Sequence, residues 1–118
     1  MLSNVALDEY RQQGFLVVQE LFDADECEFF RAASQRAENR VLEKIQSTPE
    51  TAEYHLDGNR FVDIEHVTVQ FEHTSQSKKL RVIEPVQDVE PVFNELIDDI
   101  RLSGPMRQLV PGESLALW

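Results

Sequence analysis

Between Arg60 and His73 the chain reads RFVDIEHVTVQFEH, and this stretch constrains the fold more than any other. Val67, Val69 and Phe71 alternate with Thr68, Gln70 and Glu72. Period-two alternation of β-branched and aromatic residues predicts a strand with one buried face. Upstream the parity slips, because Val62 and Ile64 are even-numbered. One residue near Glu65-His66 is therefore absorbed by a bulge or by a turn between two strands. His66 sits at that slip and reads as a histidine satisfied locally by hydrogen bonds. Helical patterns lie on both sides of the stretch, so the expected architecture is α+β, with helices covering a sheet.

The helical patterns have recognisable ends. Val5, Ala6 and Tyr10 share one face of a short helix over about residues 5 to 13, which Gly14 stops. Phe15-Leu16-Val17-Val18 follows without alternation and predicts a short strand covered on both faces. Asp23-Ala24-Asp25-Glu26 matches a capping box and opens a long helix. Cys27, Phe30, Ala37, Val41 and Ile45 form its apolar stripe, and Ser47-Thr48-Pro49 ends it. Arg31, Arg36, Arg40 and Lys44 fall off the stripe among Glu28, Glu38 and Glu43, the pattern of a solvated, salt-bridged face. Cys27 reads as a packed core residue, since the acids around it disfavour a thiolate nucleophile.

Beyond the central stretch, 74–79 is a polar loop and Leu80-Arg81-Val82-Ile83 a return strand ended by Glu84-Pro85. Lys78, Lys79 and Arg81 read as a solvated loop rather than an anion site. Helical period resumes from Val89 through Ile100, with Pro91 in the first turn, and Ser103-Gly104-Pro105 opens a further short turn or helix closed by Pro111-Gly112. Ser114 to Trp118 is strand-like and stops without a turn or polar tail, the pattern expected of a sequence that continues.

Charge and length exclude several function classes. The 118 residues, 42% of them apolar with four Gly and five Pro, suit one globular domain. A formal charge of −11 repels phosphate backbones and anionic headgroups, which argues against nucleic acid and membrane as partners. The N-terminus has neither the basic nor the apolar region of a signal peptide. One cysteine excludes an intrachain disulfide and fits the reducing cytoplasm.

His55-Leu56-Asp57 has the His-x-Asp spacing with which a strand presents an imidazole and a carboxylate to one metal ion. Gly58-Asn59 directly after it signals a hairpin that sets Asp57 across from Arg60 as an ion pair, so His55 and Asp57 are disfavoured as ligands. The later histidines, His66 and His73, are too near in sequence to complete a triad.

The order of three segments carries a resemblance. GFLVVQELFDADECEFFRAASQRA, then RFVDIEHVTVQFEH, then LRVIEPVQDVEPVFNELIDDIRLSGPMRQLVPGESLALW resembles the N-terminal half of the phytanoyl-CoA dioxygenase-like family, from about Tyr10 to Trp118. The resemblance implies an Fe(II)- and 2-oxoglutarate-dependent oxygenase with a cupin-like double-stranded β-helix, a jelly roll of which this chain supplies the N-terminal helices and first strands. In that family the His-x-Asp pair follows the strand corresponding to SLALW. The resemblance thus places the iron ligands and the co-substrate anchor beyond Trp118, and His55-Leu56-Asp57 comes too early to inherit the role. It implies a small-molecule substrate for the parent protein, no iron or 2-oxoglutarate on these 118 residues alone, and Gln70, His73 and Trp118 as substrate-side candidates. An incomplete jelly roll leaves strand edges unpaired, so self-association through exposed edges is expected. The alternative is a non-catalytic binding or scaffold module that keeps the front half of the fold without metal.

Overall fold

Four strands, β1 (Ala52–Leu56), β2 (Asn59–Ile64), β3 (Val67–Phe71) and β4 (Leu80–Glu84), form one antiparallel sheet in the order β1-β2-β3-β4. The structure is a computed structural model that describes residues 1–48, 51–73, 79–110 and 112. RFVDIEHVTVQFEH supplies the two central strands. The parity slip is a two-residue turn at Glu65-His66, which sets Ile64 opposite Val67 and Val62 opposite Val69. Reversing the chain through two residues brings the even positions of β2 and the odd positions of β3 to one face. Val62 and Val69 are wholly enclosed there, beside Ile64, Val67 and Phe71.

The chain divides into two compact units. The larger, Glu28–Phe93, contains this sheet and the greater part of a long helix. Before β1 come α1 (Asn4–Gln13) and that long helix, α2 (Ala24–Ser47). Ala33, Ala37 and Val41, spaced four apart, are the buried line of α2, and Val41 joins the sheet residues in one core with Leu42, Ile45, Ile83 and Val89 around it. Alanine at two of these three positions allows a close approach of the helix backbone. Cys27 is exposed, contrary to the stripe drawn from the sequence. It lies six residues, about 9 Å of helix rise, before the first buried alanine.

The basic residues of α2 are ion-paired, as expected, but mostly to other elements. Only Arg31 pairs within the helix, with Glu28. Lys44 meets Glu65 at 2.7 Å, and Arg36 and Arg40 both meet Glu90.

After β4 the sequence reading predicts one helix from Val89, whereas the chain forms α3 (Val86–Val89), a 3₁₀ turn (Pro91–Phe93) and α4 (Asn94–Asp98). Pro91 has no N–H to continue α3 and starts the new turn instead. Phe93 stacks on Phe30 of α2 with ring centroids 6.2 Å apart.

The smaller unit comprises Met1–Cys27 and the chain from Asn94 onward. In it α1 is capped by Ser3, whose hydroxyl accepts from the Ala6 N–H, and closed by Gly14 at φ 80°. The capping box before α2 forms as read: Asp23 Oδ1 accepts from the Glu26 N–H at 2.8 Å and Glu26 Oε2 from the Asp23 N–H at 2.9 Å. A last helix, α5 (Ile100–Leu109), runs through Ser103-Gly104-Pro105 rather than starting there. Asp99 caps it by accepting from the Arg101 N–H. Arg101 then bonds both Asp99 and Glu26, donates to the Leu21 carbonyl and lies 4.7 Å from the Phe22 ring centroid. These bonds hold the carboxyls of Glu26 and Asp99 below their ordinary range and push the Arg101 guanidinium up.

Phe15 to Val18 forms no strand, and Phe15, Val17 and Val18 are 60%, 65% and 47% exposed. The strand covered on both faces is not formed, because no strand among the described residues pairs with this run. Pro49, the 74–78 part of the loop and the strand read over Ser114 to Trp118 lie outside the described residues. No described helix is long and apolar enough to cross a membrane.

Candidate functional site

Within the larger unit a cavity of ≈ 220 Å³ opens where α2, the β2–β3 turn and α3 meet. Its floor is apolar, made by Val41, Ile64, Val67 and Val89, while Arg40, Lys44, Glu65, His66 and Asp88 stand round its rim. The floor follows from the sheet register, since Ile64 and Val67 flank the turn on the core side. Glu65 takes φ 57° in that turn. This left-handed conformation is uncommon for a residue with a side chain, and the next residue, His66, reaches α3. There His66 Nε2 lies 2.8 Å from Asp88 Oδ2, with both side chains largely open to solvent.

Each polar side chain on the rim is bonded to another. Lys44 bonds Glu65 and holds its carboxyl below the usual range. Arg40 donates to Glu90 Oε2 at 2.7 Å and to the Val89 carbonyl at 2.8 Å. A small-molecule site usually encloses roughly 300 Å³ or more and converges unpaired polar groups on its ligand. This cleft is smaller, and its polar groups bind one another. Its chemical capacity is an imidazole oriented by a carboxylate beside an apolar floor, with no serine, threonine or cysteine among the lining residues to act as nucleophile.

The residues singled out from the sequence lie elsewhere. Gln70 is on the face of β3 away from the core, in a row across the sheet with Tyr54, Phe61 and Val82. Tyr54 and Phe61 stack there at 5.3 Å, and the Tyr54 hydroxyl and Thr68 Oγ1 both donate to Asp63. Desolvation, with the Asp63 charge beside it, pushes the Tyr54 phenol up. His73 follows β3 and bonds the Arg81 guanidinium. Trp118 lies outside the described residues. The structure does not bring Gln70 and His73 to the cavity.

The hairpin before β2 differs by one residue from its sequence reading. The turn is Asp57-Gly58, with φ 50° and 78°, so that Leu56 faces Asn59 and His55 faces Arg60. Asp-Gly suits a turn with two left-handed residues better than Gly-Asn. Arg60 consequently pairs with Glu53, not with Asp57, at 3.0 Å, and its guanidinium lies 4.2 Å from the Phe71 ring centroid. The Arg60 bond draws the Glu53 carboxyl down.

The same turn decides the fit to iron. Asp57 has left the strand, so His55 and Asp57 are not neighbours on one strand face. His66 is engaged by Asp88 and His73 by Arg81, and no three His, Cys, Asp or Glu side chains among the described residues converge as a metal-binding group. The described residues do not fit an Fe(II) centre.

The His66–Asp88 pair escaped the sequence reading, which expected local satisfaction for His66. Its partner is 22 residues distant and lies on a different element. Comparison with protein-family models, with curated proteins and with solved structures finds no match.

Proposed function

We propose that this chain is the front part of an Fe(II)- and 2-oxoglutarate-dependent oxygenase, buttressing a jelly-roll barrel whose iron ligands and co-substrate anchor follow Trp118. The observation that carries the reading is the Gly14 to Val18 segment. It stands between α1 and the capped helix α2, in the order the family resemblance requires, yet it exposes Phe15, Val17 and Val18. An exposed apolar run of this kind marks a contact surface, and in the proposal the remainder of the barrel covers it. The row formed by Tyr54, Phe61, Gln70 and Val82 is a second surface suited to packing against the rest of such a protein.

In this reading iron and 2-oxoglutarate supply the oxidising chemistry in the parent protein, which acts on a small organic or acyl substrate in the cytoplasm. The present residues take no step through either group. Gln70, His73 and Trp118 are its substrate-side candidates, and the 118 residues alone are inactive.

Reading the coding sequence past the Trp118 codon tests the proposal. A His-x-Asp within a few dozen codons is the expected result; a stop codon refutes it and leaves the non-catalytic binding or scaffold module. Anaerobic Fe(II) titration of the 118-residue chain is an independent check. Binding by the wild type and by His55→Ala is expected to be equal, with or without 2-oxoglutarate. Micromolar, 2-oxoglutarate-enhanced binding that His55→Ala abolishes would overturn this assignment of the residues.

A further inference from the structure

We infer that β1 is a self-complementary edge through which two copies of this chain pair in antiparallel fashion, centred on Tyr54. The two edges of the sheet are built differently. β4 is broken by a register irregularity opposite Gln70/Phe71, carries Arg81 and runs into Pro85, all of which discourage pairing with another strand. β1 has neither a register break nor a proline, and its one carboxylate, Glu53, has a complementary partner in the pairing described below. Its five residues, Ala-Glu-Tyr-His-Leu, are all exposed and keep unbroken register with β2.

The hairpin fixes which main-chain groups face outward. Residues flanking a two-residue turn exchange hydrogen bonds, and the pattern then alternates along the strand. Leu56, Tyr54 and Ala52 are therefore directed at β2, and Glu53 and His55 present their N–H and C=O groups to the open edge. A twofold antiparallel pairing centred on Tyr54 sets Glu53 opposite His55 of the second copy, and His55 opposite its Glu53. Both pairs carry inter-strand hydrogen bonds, and each also joins a carboxylate to an imidazole. Glu53 has an oxygen for this contact, since Oε2 accepts from Arg60 while Oε1 has no bonded partner among the described residues. Tyr54 meets its own copy at a non-hydrogen-bonded position, where side chains approach most closely. The Tyr54–Phe61 stack thereby continues across the twofold axis.

Other registers are worse. Centring on Glu53 opposes two carboxylates, and centring on His55 opposes Glu53 to Asp57 and the two imidazoles to each other. Like charges directly opposite one another destabilise a strand pair. The inference does not rest on the oxygenase reading.

Two substitutions at His55 separate pairing between copies from effects within the chain. Inside the hairpin His55 faces Arg60 and also lies within electrostatic reach of Glu53 on its own strand, whereas across the proposed axis it faces the second copy's Glu53. His55→Glu gains an attraction to Arg60 and a repulsion from its own Glu53, so it should leave the hairpin intact while weakening association. His55→Lys reverses both contacts and should also leave the hairpin intact, with association kept or tightened. Sedimentation equilibrium of the 118-residue chain, from micromolar to near-millimolar concentration, is expected to show a reversible dimer. His55→Glu should weaken it by about two- to thirtyfold, the range for two cross-strand charge pairs, and His55→Lys should leave it unchanged or tighter. Urea midpoints of the two variants should lie close together, so that a difference in association reports the contact between copies. His55→Pro, which removes an outward N–H and no bond to β2, should abolish the dimer with the circular dichroism retained. A monomer at every concentration, equal shifts for Glu and Lys, or a dimer that survives proline would each overturn the inference.

Discussion

Glu90 is the residue whose replacement tests most directly how the cavity is assembled. It is buried, at 7% exposure, and clasps α2 to the segment after β4. Arg40 Nη1 donates to it at 2.7 Å, Arg36 Nη2 at 3.2 Å and Arg36 Nε at 3.4 Å. A hydrogen bond to a charged group contributes about 1.5–3 kcal/mol net. Both guanidinium groups are about half exposed, however, and recover hydration when their partner is lost. Glu90→Gln keeps the shape and one acceptor, so the expected loss is about 1–2 kcal/mol. Glu90→Ala leaves two arginines facing an empty acceptor site, for about 2–4 kcal/mol. Urea unfolding followed by far-UV circular dichroism measures both. At a slope of about 1–2 kcal/mol/M, Glu90→Gln should lower the midpoint by roughly 1 M without changing the slope. The wild type should also lose part of its advantage over the variant in molar salt. If Glu90→Gln unfolds with the wild type, or if it costs as much as Glu90→Ala, the clasp is not electrostatic and the reasoning fails.

Three further outcomes follow from the same structure. Val62→Ala removes two carbons from a wholly enclosed site and should cost about 2–3 kcal/mol by urea unfolding, counting transfer and residual cavity, whereas Val82→Ala on the outer face should fall within about 0.5 kcal/mol of wild type. Asp23→Ala should cost about 1 kcal/mol, read from the loss of helical dichroism on urea titration, because it deletes the side-chain half of the capping box. The Arg101 cluster predicts an acid limb of defined sign. Glu26 and Asp99 have folded-state pKa values below their ordinary 4.5 and 3.8, so their stabilisation is complete above those values and is lost as pH falls through the depressed ones. Arg101→Met should flatten the pH dependence of the unfolding midpoint below about pH 5; an unchanged acid limb would count against the cluster.

Local chemistry was legible in the sequence where one reading of the neighbouring residues stood out. The Asp23–Glu26 capping box, the Gly14 stop, the strand Val67–Phe71 and the break in parity before it all depend on neighbours within a few residues, and all are present. Features that need a distant partner were not legible. Phe15-Leu16-Val17-Val18 has strand composition, but composition supplies no neighbouring strand. Cys27 continues the helical period, yet burial depends on where the sheet lies along the axis. The hairpin register failed by one residue because both Asp57-Gly58 and Gly58-Asn59 are turn dipeptides, and the choice moved Arg60 from Asp57 to Glu53. The His66–Asp88 and Glu90 contacts join elements 22 to 54 residues apart, a range at which spacing rules carry no information.

Glu65 gives the β2–β3 turn an evolutionary asymmetry. Its left-handed backbone favours glycine or asparagine, while its carboxylate engages Lys44. Exchange for glycine would relieve the one and forfeit the other, so folding stability registers only the difference between two opposed effects. What glycine cannot supply is the tie to α2: the turn would keep its shape, and with it the path of the chain into His66, but Lys44 at the cavity rim would be released from its carboxylate. Substitution here would therefore change the charge at the rim more than the folding stability, without touching the core beneath it.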